Sequence, residues 1–77
     1  MITEPEIEVA VIQICNELGM NAVLPSETQV VEAWRGLFRA DRFSVAGRAY
    51  KDREVASKVI EGVRNFYKTK RQREQEK

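Results

Sequence analysis

Histidine is absent from this chain, cysteine occurs once and proline twice. Without imidazole, histidine-based triads and most zinc sites are excluded, and a single thiol cannot build an internal disulfide framework. No apolar run approaches the roughly 20 residues needed to span a bilayer, and the first residues lack the basic stretch that opens a secretory signal. These absences set the first expectations: no metal, no cofactor, no small-molecule substrate, no membrane partner, and a cytoplasmic setting. Catalysis is not expected either. Ser26, Ser44 and Ser57 fall in cap, loop and helix contexts. Glu4 and Glu8 stand four apart at a helix start, where carboxylates serve the helix dipole. Cys15 lies beside an apolar stripe and reads as a buried, inert thiol.

What is present is one small domain's worth of chain. At 77 residues it can bury only about 60% of its unfolded surface. An apolar fraction of 43% with 32% charged residues fits a folded domain rather than a disordered one. The net charge of +1 conceals a division. Residues 1–34 carry six acids and no Lys or Arg; residues 35–77 carry all 13 basic residues and the other six acids. An acidic front and a basic back point to a polyanionic partner or to charge-matched association.

Three helices are predicted. Thr3 caps the first, with Glu6 completing a capping box and Pro5 in the tolerant first turn. Ile7, Val11, Ile14 and Leu18 form its core stripe, and Gly19 ends it as a left-handed cap. Val9 and Ile12 fall on the opposite side, which marks them as a candidate protein interface and suggests a homodimer through this helix. An apolar connector, residues 20–25, leads to Ser26, which caps the second helix with Gln29 as its box partner. Val30, Trp34 and Leu37 face inward, and the helix ends somewhere between residues 37 and 42. Asp52 caps the last helix, along which Val55, Val59, Val63 and Phe66 run, with Tyr67 at the core edge and its hydroxyl outward. Residues 1–67 thus read as the domain and residues 68–77 as a basic charged extension without an apolar side chain.

Between the second and last helices, Arg42–Lys51 reads as a short β-hairpin with Ala46-Gly47 as its turn, or as an irregular loop. The hairpin register sets Phe43 opposite Tyr50. The expected fold is therefore mainly α: a small three-helix domain with a possible short hairpin.

The run from Ser26 through Thr28, Trp34, Gly47-Arg48-Ala49-Tyr50 and Glu54-Val55, within residues 24–60, resembles small winged-helix DNA-binding proteins. These include phage excisionases and the related mercury-resistance-regulator-type and terminase small-subunit DNA-binding domains. The resemblance implies a recognition helix at 26–38 and a basic wing at 42–51. In that reading the chain is a non-enzymatic DNA-binding accessory or regulatory protein whose partner is duplex DNA. Thr28, Gln29 and Arg35 would face bases; Arg39, Arg42, Arg48 and Lys51 would face phosphates, with Arg64 adding a further cation. The alternative is a helical protein–protein interaction or adapter module, homodimeric through Val9 and Ile12.

Overall fold

The computed structural model describes residues 2–20 and 23–75, with side chains through Arg71. Asn21 and Ala22 of the expected connector, and Glu76 and Lys77 of the basic extension, lie outside the described residues. Four helices follow one another: α1 (Glu4–Leu18), α2 (Glu27–Ala40), α3 (Val45–Tyr50) and α4 (Arg53–Gln75). The mainly helical expectation holds.

The helix starts follow the local chemistry of their caps. The Thr3 hydroxyl accepts the Glu6 N–H, while the Glu6 carboxylate accepts the Thr3 N–H at 3.1 Å. Ser26 and Gln29 repeat the arrangement at α2, with the Gln29 side-chain oxygen 2.9 Å from the Ser26 nitrogen. At α4 the Asp52 carboxylate accepts the Glu54 N–H at 3.0 Å. Each device occupies backbone donors that a helix start leaves without partners. Gly19 closes α1 with φ 92° and ψ 156°. Its φ is positive, as a glycine end requires, but its ψ is extended, so the chain leaves the helix directly instead of curling into a left-handed cap.

The principal departure is at residues 42–51. Among the described residues there is no strand, and the expected hairpin is replaced by α3. Ser44 is the reason. Its hydroxyl accepts the Gly47 N–H at 3.0 Å, so it acts as a helix cap and not as a strand residue. Ala46, Gly47 and Ala49 are the buried side of α3. Being small, they let it settle between α1 and α2. Phe43 and Tyr50 therefore do not pair: Phe43 is 83% exposed, while the Tyr50 ring stacks on Phe38 at 5.1 Å and meets the edge of Trp34 at 5.5 Å.

Contacts between elements fix their directions. Glu4 meets Lys58, Cys15 and Gly19 meet Tyr67, and Met20 meets Lys70. The pairs advance together, so α1 and α4 run parallel. Gln13 meets Ala46 and Glu6 meets Arg48, so α3 runs back along α1. Ile14, Val30, Val59 and Val63 are fully enclosed at the centre. Each such burial is worth about 1.5–3 kcal/mol. Ile7, Trp34 and Val55 are also buried; Val11, Leu18 and Leu37 pack at the edge.

One core assignment changes. Phe66 is 41% exposed and Tyr67 is buried in its place. The Tyr67 hydroxyl points inward, donating toward the carbonyl oxygens of Cys15 at 3.1 Å and Gly19 at 2.8 Å at the end of α1. The Gly19 carbonyl lies past the end of the helical ladder, and the Cys15 carbonyl, which already accepts the Gly19 N–H at 2.9 Å, takes a second hydrogen bond. A tyrosine can fill the core and donate to both; a phenylalanine cannot. Beyond Tyr67, residues 68–75 continue α4 as helix.

Candidate functional site

The eight residues expected to contact DNA divide into two groups. Four have intramolecular work. The Gln29 side-chain oxygen is engaged in the α2 capping box. Arg48 pairs with Glu6 at 3.1 Å. Lys51 lies over the Phe38 ring, 5.2 Å from its centroid. The Arg64 guanidinium donates to the Pro25 carbonyl at 3.1 Å, tying α4 to the segment before α2. These contacts use the cations to join elements that meet only in the fold. The Arg48–Glu6 and Lys58–Glu4 pairs lie at the surface, where solvent screening keeps such contacts weak. Together they fasten the acidic first helix to the basic second half of the chain.

The other four are Thr28, Arg35, Arg39 and Arg42, all exposed. Positions 28, 35 and 39 share one outward face of α2, with Glu32 among them, by the i, i+4, i+7, i+11 spacing of a helix. Among the described residues Arg35, Arg39 and Arg42 form no ion pair. The wing expected to accompany this face is absent, because its residues build α3.

The segment after α2, expected as a hairpin strand or an irregular loop, is an ordered turn. Asp41 ends α2, and its carboxylate accepts the Phe43 N–H at 3.0 Å. The Asp41 carbonyl accepts both the Ser44 N–H at 3.2 Å and the Ser44 hydroxyl at 2.8 Å. Gly47 lies directly beneath: a Cβ built there would stand 2.4 Å from the Asp41 oxygen. Trp34 closes the other side by donating its indole N–H to the Ala46 carbonyl at 2.6 Å. The backbone around Phe43 is thereby fixed while the ring itself stands in solvent. The Asp41-x-Phe43 and Ser44-x-x-Gly47 spacings were the available signals, since both side chains are known turn and cap formers.

On α1 the two residues expected to form a protein interface lie on the outer face of the helix. Val9 and Ile12 are 41% and 59% exposed. With Pro5 and Asn16 they make an outward stripe at i, i+4, i+7, i+11.

The titratable groups with a clear perturbation have structural causes. The Glu6 carboxyl is held below its ordinary value by hydrogen bonds from the Thr3 backbone and hydroxyl, with Arg48 adding to the effect. Burial pushes the Cys15 thiol up, and burial with the neighbouring Cys15 pushes the Tyr67 hydroxyl up. A neutral, buried Cys15 is a poor nucleophile. Among the described residues no cluster of His, Cys, Asp or Glu could hold a metal ion, and no helix is long and apolar enough to cross a membrane. No family model, curated protein or solved structure matches this chain.

Proposed function

We propose that this chain is a small non-enzymatic protein-binding module that self-associates weakly through the outer face of α1. The observation that carries the reading is the exposed Val9/Ile12 stripe on a helix whose opposite face is already committed to the core. The stripe is self-complementary. An antiparallel two-fold pairing centred between Val9 and Ile12 sets each against the other and places Glu8 opposite Gln13 rather than opposite an acid. The Gln13 oxygen is occupied by the Ala46 N–H, which leaves its amide NH2 to face the carboxylate. The apolar area is small, so the association belongs to the weak class of interfaces.

Analytical ultracentrifugation over a wide concentration range tests this directly. A concentration-dependent dimer is expected, and the Val9→Glu/Ile12→Lys double variant stays monomeric with an unchanged circular dichroism spectrum. A wild type that remains monomeric at the highest concentration overturns the reading.

DNA binding is the second reading, favoured by the outward Arg35 and Arg39 on α2 and by Arg42 next to it. It would work without a hairpin wing, with Glu32 on the same face and with Arg48 and Arg64 engaged elsewhere.

A further inference from the structure

We infer that the turn joining α2 to α3 is a docking point for an acidic segment of a partner protein, with Phe43 as the apolar anchor and Arg35, Arg39 and Arg42 as its charge-matching rim. The inference rests on the protein-binding reading above but uses a different surface from the α1 stripe.

Three observations converge. First, the aromatic rings in this part of the fold are otherwise used internally: Trp34 is buried, and Phe38 and Tyr50 stack on one another. Phe43, in the middle of the same region, is left 83% exposed. A lone exposed apolar residue would mean little. This one sits on a backbone held by the Asp41 carboxylate, the Ser44 hydroxyl and the close seat on Gly47. A ring carried on a preset turn loses little conformational freedom when it enters a pocket.

Second, Arg35, Arg39 and Arg42 approach the turn in sequence and, among the described residues, have no carboxylate partner. By contrast, Arg48 and Lys58 have both found one. Arginine and aromatic side chains are the residues most enriched where protein interfaces concentrate their energy.

Third, the cationic stretch is short. It runs about 10 Å from Arg35 to the turn. It is bounded on the same face by Glu32, and Asp41 lies within the turn itself. A nucleic acid backbone following α2 would meet Glu32, whereas a short acidic segment bearing one apolar side chain matches both the charge and the exposed ring.

The test is a random-peptide display library panned on the full chain and counter-selected at each round on the Phe43→Ser variant. Recovered peptides are then titrated by fluorescence anisotropy. Wild-type-specific peptides should be net acidic and carry a large apolar residue. Their binding should weaken by about tenfold or more in Phe43→Ser and in Arg39→Glu/Arg42→Glu, the range expected for hot-spot contacts. Added salt should weaken it further. Because Phe43, Arg39 and Arg42 are exposed, unchanged circular dichroism certifies that both variants are folded. Failure to enrich wild-type-specific peptides, or enrichment of peptides without acids, overturns the inference. Fluorescent single-stranded and duplex oligonucleotides run in parallel; oligonucleotide binding abolished by Phe43→Ser would assign the turn to nucleic acid and overturn it as well. Failed panning beside an observed α1 dimer removes this inference alone, and successful panning on a strictly monomeric chain removes only the dimer.

Discussion

Replacing glycine by alanine inside a helix ordinarily stabilises it by about 0.5–1 kcal/mol, because alanine loses less backbone freedom on folding. Three helical glycines of this chain should respond differently to that same change. Gly36, on the outward face of α2, has nothing within 4 Å of an added Cβ. Gly36→Ala should therefore give the ordinary gain. At Gly47 the added Cβ would stand 2.4 Å from the Asp41 carbonyl oxygen and 2.9 Å from two backbone atoms of Arg42. Backbone cannot rotate aside as a side chain can, so α3 or the turn must move. Overpacking costs about 1–3 kcal/mol, and against backbone atoms this close the upper half of that range applies, which exceeds the helix-propensity gain. Gly62 falls between: its Cβ would meet Val11 Cγ2 at 2.9 Å, a side-chain atom, although valine is stiff about χ1. Urea unfolding followed by circular dichroism reads all three. With a slope near 1 kcal/mol/M for so small a domain, Gly36→Ala should raise the midpoint by about 0.5–1 M and Gly47→Ala lower it by about 1–2 M. Gly62→Ala should lie between them. A Gly47→Ala variant as stable as the wild type would refute the close seating of α3 beneath the turn, and with it the argument that Phe43 is rigidly presented.

Two further outcomes are expected. Tyr67→Phe keeps the ring in the core but removes the donor to the Gly19 carbonyl and the second hydrogen bond of the Cys15 carbonyl, which keeps the Gly19 N–H; a loss of about 1 kcal/mol in the same assay is expected, and no loss would show that the Gly19 carbonyl is satisfied otherwise. Glu6 has a pKa lowered in the folded chain from 4.5, so its contribution is fully present above that value and is lost as pH falls through the lower folded value. Glu6→Gln should therefore be less stable than wild type at neutral pH, with the gap closing in acid; a gap that widens in acid would contradict the assigned contacts.

Much of the architecture was legible because it is local. A Thr-x-x-Glu or Ser-x-x-Gln box satisfies donors within one helical turn, so Thr3–Glu6 and Ser26–Gln29 announced the starts of α1 and α2 from spacing alone. The apolar period likewise identified Ile14, Val30, Trp34, Val59 and Val63 as interior, since period 3.6 alone decides which residues share a face. Val9 and Ile12 were recognisable as an outer stripe for the same reason.

What depended on partners distant in sequence was not legible. Residues 42–51 satisfy hairpin and helix patterns alike. The helix wins because Ala46, Gly47 and Ala49 are small enough to fit between α1 and α2, and because Gln13 and Trp34 engage the backbone of Ala46. Phe66 and Tyr67 are adjacent, and periodicity favours neither. The end of α1, some 50 residues earlier, selects Tyr67 because its hydroxyl meets two carbonyls there. The cations were visible as a set, but Arg48, Lys51 and Arg64 were each assigned to an internal partner only once the helices packed. Local patterns determined α1, α2 and α4 and most of their inward faces; packing determined α3, the choice of Tyr67 over Phe66, and which polar and charged groups remained outside to meet something else, because a hydrogen bond or ion pair between distant segments exists only in the folded chain.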